Sequence, residues 1–138
     1  GEPGNAASMA VWVRYGRFDM LLTGDVEGEG EAALTAAVDE AKEAWRTDGF
    51  DGILEVLKVA HHGSKNSTSA EFLEATRPAY GLISAGRDNR YGHPHRDTAK
   101  RLEDIGCRLF CTPSDGAVTV WTDGSRMSIS AFAEGAGP

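Results

Sequence analysis

The sequence has no apolar run that approaches the roughly 18 residues of a membrane-spanning helix. It also has no excess of positive charge, because 21 acidic and 14 basic residues give a net charge of −7. No sequence-wide positive field therefore attracts nucleic acid or an anionic membrane to this chain. Binding of DNA would need a local basic patch or bound cations.

Cysteine is also scarce, since the sequence contains only Cys107 and Cys111. In an extended strand these residues lie on one face, about 13 Å apart, because each residue of a strand rises about 3.3 Å. That distance is too long for a disulfide, and the spacing is not that of a zinc knuckle. We therefore expect two reduced thiols in the core.

Histidine is absent before His61, and all four histidines lie between His61 and His95. His61 and His62 form an adjacent pair in "VLKVAHHGS", directly after a strand-like apolar segment. The other two, His93 and His95, lie in "NRYGHPHRD". Clustering of this kind indicates a functional site.

The apolar patterning predicts an α/β fold. At 138 residues, of which 41% are hydrophobic, the chain is one domain or a large piece of one. A hairpin around Gly16 and Arg17 precedes a helix whose apolar stripe includes Leu34, Val38 and Trp45. Strand and helix patterns then alternate up to a last hairpin in "WTDGSRM". We expect a mixed sheet with about three helices.

Three of the predicted strands end in polar clusters, in the segments "LLTGD", "VLKVAHHGS" and "LISAGRDNRYGHPH". Ligand sites in parallel sheets lie outside the carboxyl ends of the strands. If the three strands run parallel, Asp25 converges with His61, His62, His93 and His95 on one site.

Asp25 and the histidine pair are the candidate metal ligands. Asp25 ends a strand after a glycine, which suits either a metal-bridging carboxylate or an ordinary turn aspartate. If His61 and His62 continue the strand, their side chains point in opposite directions, and one of them faces a given ion. We expect His61, the nearer to the strand end, to be that ligand. A solvated histidine pair is the alternative.

The loop after the third strand is dense in hydrogen-bonding and proton-transfer groups. It suits substrate binding or general acid–base catalysis by His93, and a rigid turn with exposed polar groups is the alternative. The candidate substrate-binding residues around the site are Ser64, Lys65, Ser84, Gly86 and Arg90. The serines and threonine of this region also suit caps and turns, and no third group completes a serine–histidine–aspartate triad.

The segments "YGRFDMLLTGD", "LKVAHHGSKNS" and "ISAGRDNRYGHP", in this order, resemble the metallo-β-lactamase-like domain of the ComEC family of late-competence DNA-uptake proteins. The resemblance runs from about residue 5 to residue 124. It implies an αββα hydrolase fold with two divalent metal ions, zinc or manganese. It also implies that Asp25 bridges the metals and that His61 or His62 is the final histidine ligand.

In that family the domain is thought to act as a nuclease on DNA at the membrane. The resemblance implies a metal-dependent phosphodiesterase or nuclease within a membrane-associated bacterial protein. Residues 89–93 match the family's active-site loop. There His93 would donate to the phosphate or leaving group, with Asn89 and Tyr91 orienting it. DNA, RNA and small phosphoesters all stay open as substrates.

The chain departs from the family because the His-x-Asp-x-Asp-His or His-x-His-x-Asp-His motif of the N-terminal half is absent. We therefore expect residues 1–132 to be the C-terminal part of the domain and residues 133–138 a disordered tail. The expected partners are the missing N-terminal half and DNA or another phosphodiester. Self-association through the uncovered sheet face is a further expectation.

Asp25 and one histidine are too few ligands for a zinc or manganese site, which uses at least three protein ligands. We therefore expect this chain alone, as a soluble fragment, to hold no metal tightly and to be inactive. One alternative hypothesis is a non-catalytic half-domain that binds another module. Another is a different hydrolase of the same fold, such as a lactonase or a phosphorylcholine esterase.

Overall fold

A computed structural model describes residues 9–86 and 94–132. The strands are β1 (Val11–Tyr15), β2 (Phe18–Leu22), β3 (Leu54–Lys58), β4 (Pro78–Ile83), β5 (Arg108–Cys111), β6 (Ala117–Thr122) and β7 (Met127–Phe132). The helices are α1 (Glu29–Arg46), α2 (Ala70–Thr76), α3 (Arg96–Asp104) and α4 (Thr112–Asp115). A short 3₁₀ turn, Ala60–Gly63, follows β3. The predicted tail, residues 133–138, lies outside the described residues.

Five strands form one mixed sheet in the order β1-β2-β3-β4-β5. β1 pairs antiparallel with β2, whereas β2, β3, β4 and β5 run parallel to one another. The central strand β3 is covered on both faces, since Leu54, Val56 and Leu57 are 0% exposed. The carboxyl ends of β2, β3 and β4 therefore meet at one edge, as the sequence predicts.

Helices cover one face of this sheet and enclose the core. Leu21 and Leu57 are neighbours in the parallel register and belong to the same buried cluster as Val38 of α1, Phe72 of α2 and Leu102 of α3. Removing each of these side chains from water contributes about 2 kcal/mol to folding. The α/β class and the mixed sheet with packed helices confirm the predicted fold class.

Strands β6 and β7 form a separate antiparallel pair, which confirms the predicted last hairpin. The one-turn helix α4, which ends at Gly116 with φ of +72°, redirects the chain between β5 and β6. It also raises the number of helices in the described ranges from the expected three to four. A helical layer, a five-stranded sheet and a second small sheet are consistent with part of an αββα sandwich.

Both cysteines are free thiols, as predicted. Cys107 lies in the core, and burial raises the pKa of its thiol to about 12. The thiol of Cys107 therefore stays protonated near neutral pH, and it does not supply a nucleophile there.

The tip of the β6–β7 hairpin touches the β1–β2 turn, where Arg17 N donates to Gly124 O over 2.6 Å. Gly16, at φ of +60°, has no room for a Cβ because Gly124 O occupies that space. Gly49 also has a positive φ, +87°, but nothing lies within 4 Å of its Cβ position. Alanine at Gly49 would therefore meet only backbone strain, whereas alanine at Gly16 would meet both backbone strain and a steric clash.

We expect Gly49→Ala to lower the free energy of unfolding by about 1 kcal/mol, because alanine strains a left-handed backbone. Gly16→Ala adds a clash with Gly124 and should cost about 2–4 kcal/mol. Urea unfolding of the two variants measures the difference. Equal losses would contradict the close packing of the two turns.

Candidate functional site

A cleft of about 640 Å³ opens at the carboxyl edge of β2 and β3. It is lined by Asp25, His61, His62, Ser64, Lys65, Asn66 and His95. The structure therefore brings together three predicted metal ligands and two predicted substrate-binding residues, all from the segments that follow β2 and β3. This location is the one expected for a ligand site in a parallel sheet.

Asp25 reaches the cleft through a turn that leaves β2. Gly24, at φ of +56°, allows the chain to turn sharply before Asp25. The Gly24 carbonyl accepts a hydrogen bond from His61 N over 2.8 Å. Thr23 Oγ1 donates to Lys58 O over 2.6 Å and ties the ends of β2 and β3 together. Asp25 and the histidine pair are thus fixed relative to each other by the backbone.

The histidine pair does not continue the strand, so the condition on which oppositely directed side chains were expected is not met. His61 and His62 have φ of 49° and 54°, and Gly63 follows at 78°, which makes a left-handed turn. Strand alternation ends where φ becomes positive. Both rings line the cleft, with 6.2 Å between their centroids. A preference for His61 over His62 therefore has no basis in side-chain direction.

Each histidine ring is oriented through its Nδ1 atom. His61 Nδ1 lies 2.9 Å from Oε2 of Glu27, and His62 Nδ1 lies 2.7 Å from the carbonyl oxygen of Ser84. An ionised carboxylate and a carbonyl oxygen only accept hydrogen bonds, so Nδ1 carries the proton in both rings. In the neutral rings Nε2 then has the lone pair, which is the form in which imidazole binds a metal.

His95 is brought to the same cleft by a close approach of two loops. His95 N donates to Gly63 O over 2.8 Å, and a Cβ at Gly63 would lie 2.7 Å from the Cβ of Pro94. Thr98 Oγ1 donates to the carbonyl oxygen of Ser64 over 3.0 Å in the same region. Only glycine at position 63 lets the start of α3 pack this closely against the histidine turn.

The loop between the histidine turn and α2 is anchored by buried charge. The carboxylate of Glu31 in α1 is 6% exposed, and it accepts hydrogen bonds from Thr68 N and from Ser69 N, the latter over 3.0 Å. Arg101 Nε donates to Thr68 O over 3.0 Å. These contacts hold a non-glycine residue, Thr68, at φ of +60°.

Positive charge lies beside the cleft at Lys58, the last residue of β3. Burial lowers the pKa of the Lys58 ammonium, and the nearby Asp25 carboxylate acts in the opposite direction. Lys65 lines the cleft and is exposed. Two lysines therefore lie at the same edge of the sheet as the Asp25 carboxylate.

The predicted site residues fall into three groups. Those that line the cleft are Asp25, His61, His62, Ser64 and Lys65. Ser84 and Gly86 follow β4, and Ser84 contributes a backbone carbonyl that holds His62. Asn89, Arg90, Tyr91 and His93 lie outside the described residues, so their predicted roles stay predictions.

Sequence reasoning missed Glu27, Glu31 and Asn66. Glu31 lies in the acidic first turn of α1, and Glu27 lies just before this helix. No local signal separates a solvent-exposed glutamate there from one that contacts a residue more than 30 positions away. Asn66 enters the cleft only through the shape of the loop after the histidine turn.

The donor types fit a divalent metal, but their number does not. A carboxylate and two imidazole nitrogens are ordinary ligands for zinc or manganese. Within residues 9–86 and 94–132, no group of three or more His, Cys, Asp or Glu side chains is arranged to hold a metal ion. The described residues on their own therefore do not make up a resident metal site.

No family model matches this sequence. It is similar to ComE operon protein 3 of Bacillus subtilis (strain 168), with 36% identity over 83% of this chain and 13% of that protein. It is similar to Recombination protein 2 of Haemophilus influenzae, with 34% identity over 91% of this chain and 14% of that protein. For Competence protein ComA of Neisseria gonorrhoeae the identity is 32% over 83% of this chain and 15% of that protein. The chain thus spans 13% to 15% of the length of these curated relatives.

The anchoring role of Glu31 can be tested by substitution. Glu31→Ala leaves two backbone N–H groups without their acceptor and should lower the free energy of unfolding by about 2–3 kcal/mol. Glu31→Gln keeps one acceptor oxygen and should fall between Glu31→Ala and the unmodified chain. Urea unfolding and amide hydrogen exchange at Thr68 measure both effects. The exposed Glu40→Ala on the same helix is the control, and a Glu31→Ala loss no larger than this control would contradict the role.

Proposed function

The chain is homologous over most of its length to one segment of the ComEC-family competence proteins, and we propose that it is part of a metal-dependent phosphodiesterase or nuclease. In this proposal the domain has the metallo-β-lactamase-like fold and acts on DNA during competence-type DNA uptake. Competence and recombination appear in the names of the relatives, which supports a role on DNA.

The meeting of Asp25, His61 and His62 in one cleft carries this proposal. Hydrogen bonds to Glu27 and Ser84 keep the Nδ1 protons of both rings away from the metal-binding nitrogen. Asp25 is the proposed bridging ligand, and one of the two histidines is the proposed terminal ligand. A hydrolase that cleaves phosphodiesters uses such donors to hold divalent cations.

The remaining metal ligands in this proposal come from the preceding half of the same domain. The small number of metal donors among the described residues supports this division, as does the small share of the relatives' length that the chain spans. When bound, two zinc or manganese ions supply an activated water and neutralise phosphate charge. The proposed role of this chain is to orient the imidazole rings and to form the cleft.

An anionic substrate is supported by the local charge of the cleft. Lys58 and Lys65 place ammonium groups at an edge that also carries imidazole donors. Non-bridging phosphate oxygens are suitable partners for such groups. The proposed roles of His93, Asn89 and Tyr91 toward the phosphate or leaving group rest on the sequence resemblance.

The sheet edge at β1 is the proposed contact with the rest of the domain. Val11, Val13 and Tyr15 are 45%, 40% and 56% exposed on this edge strand. An exposed apolar edge strand invites pairing with another chain segment. The preceding half of the domain is the proposed occupant, and a second copy of this chain would compete for the same edge.

The proposed setting is a membrane-associated parent protein. In the part of the chain that the structure describes, no helix has both the length and the apolar character needed to cross a bilayer.

A non-catalytic role is the second candidate function, because the described residues do not complete a metal site. In that case the cleft would serve as a binding surface within a larger assembly, and Asp25 and the histidines would contribute hydrogen bonds. Metal content and strand cleavage by the parent protein separate the two functions.

We expect the parent protein to retain stoichiometric Zn²⁺ or Mn²⁺ and to cleave a labelled single strand, whereas the 138-residue chain does neither. Asp25→Ala in the parent should abolish both properties, because a bridging carboxylate holds two ions. Asp39→Ala, on the exposed face of α1, is the matched control and should leave both unchanged. Elemental analysis and a gel assay measure the two properties.

Two outcomes would overturn this assignment. A parent protein without metal or cleavage would favour the non-catalytic module. Stoichiometric metal and cleavage by the 138-residue chain, lost when His61 and His62 are both replaced by alanine, would show that the chain holds a complete site.

A further inference from the structure

Three histidines line the cleft, but His95 is held in the opposite way from the other two. His95 is the N-cap of α3, and its Nδ1 accepts a hydrogen bond from the backbone N–H of Asp97 over 3.1 Å. His61 and His62 instead use Nδ1 to donate to oxygen acceptors. The three rings therefore differ in which nitrogen carries the proton, because the partner of His95 is a hydrogen-bond donor and the partners of His61 and His62 are acceptors.

A backbone N–H is always a donor, so Nδ1 of His95 must offer a lone pair to it. In the neutral imidazole one nitrogen accepts and the other carries the proton. The proton of His95 therefore lies on Nε2, whereas the protons of His61 and His62 lie on Nδ1. The carboxylate of Asp97 is 3.9 Å from Nδ1 of His95, which is too far for a competing hydrogen bond.

We propose that His95 is a hydrogen-bond donor to a phosphoryl oxygen of the substrate and not a metal ligand. This role rests on the proposed phosphodiesterase function, to which it adds one substrate-contacting residue. The Nε2–H group belongs to a ring that lines the same cleft as Asp25 and the histidine pair. The His95 side chain is 36% exposed, so a ligand in the cleft can reach it.

Metal binding by His95 is disfavoured at both nitrogens. Coordination through Nδ1 would take the lone pair that caps α3 and would leave the Asp97 N–H without its acceptor. Coordination through Nε2 would move the proton to Nδ1, where two N–H groups would face each other. His61 and His62 meet neither obstacle, because their Nδ1 partners are acceptors.

The position of His95 is fixed by contacts that do not involve its ring. His95 N donates to Gly63 O, and Pro94 packs where a side chain at Gly63 would lie. The start of α3 is therefore attached directly to the left-handed histidine turn. A donor on this helix end keeps a constant location relative to His61 and His62, as an electrostatic contact to a reacting phosphate requires.

The tautomers can be observed directly in the 138-residue chain by ¹⁵N–¹H correlation spectroscopy of the imidazole rings. We expect the neutral His95 ring to show its proton on Nε2 and the rings of His61 and His62 to show theirs on Nδ1. A proton on Nδ1 of His95 would overturn the assignment. This readout does not depend on metal or on catalytic activity.

Two substitutions separate the donor role of His95 from its capping role. The amide oxygen of asparagine can take the place of Nδ1, so His95→Asn keeps the cap but loses the donor at Nε2. The longer side chain of glutamine can bring an N–H donor near the position of Nε2, so His95→Gln keeps the donor but weakens the cap.

In the parent protein with Mn²⁺, we expect His95→Asn to lower kcat for cleavage of a labelled single strand by about 100-fold. Removing one hydrogen-bond donor to an oxygen that gains negative charge in the transition state typically has an effect of this size. We expect His95→Gln to stay within about tenfold of the unmodified protein, because it keeps a donor, although its thermal midpoint should fall. Both variants should keep their full metal content.

Each other result has a distinct meaning. Loss of metal in both variants would make His95 a ligand and overturn the donor role. Full activity in His95→Asn with low activity in His95→Gln would leave a capping role alone. If the unmodified parent protein cleaves nothing, or if cleavage does not depend on Asp25, the proposed phosphodiesterase function fails, whatever the tautomers show.

Discussion

The left-handed turn at the end of β3 is the constraint on which the polar edge of this molecule depends. His61 and His62 have positive φ without being glycine, which costs about 1–2 kcal/mol for each residue. Such strain persists only where surrounding contacts determine the conformation. Here the Gly24 carbonyl fixes His61 N, and the Ser84 carbonyl fixes the ring of His62. The turn is thus held by the loops that follow β2 and β4, so the three strand ends form one unit.

The sequence allows the strands, the helices and their convergence to be predicted because these depend on local periodicity. β3 buries Leu54 and Val56 on one face and Leu57 on the other, and α1 buries Val38 of its predicted apolar stripe, so burial and conformation agree there. The histidine pair is different, since the alternation of a strand holds only while φ stays negative. Gly63 is a weak signal of the change, because glycine is equally common in ordinary turns. The prediction thus located the pair correctly, whereas the strand continuation from which ring directions were argued does not occur.

Long-range polar contacts account for most of what sequence reasoning missed. Glu31 has the residue type and position of an ordinary charged helix start, yet its carboxylate is buried against Thr68 and Ser69. Whether a glutamate meets water or a distant backbone depends on the packing of α1 against the loop before α2. The same limit applies to His95, since its sequence neighbours do not reveal that its ring caps a helix. The role of each of these side chains depends on its hydrogen-bond partner, and the tertiary structure determines which group that partner is.

The cleft is assembled by hydrogen bonds within the protein. Thr23 joins the end of β2 to Lys58 at the end of β3, and Gly63 O receives the backbone N–H of His95. Because the contacts with Glu27 and Ser84 orient the rings of His61 and His62 beforehand, an incoming cation would not bear the entropic cost of ordering them. In the proposed function, metal affinity at this edge is then limited by the number of donors rather than by their mobility. The proposed function divides the metal ligands between two halves of one domain, and each half then arranges its own share as it folds.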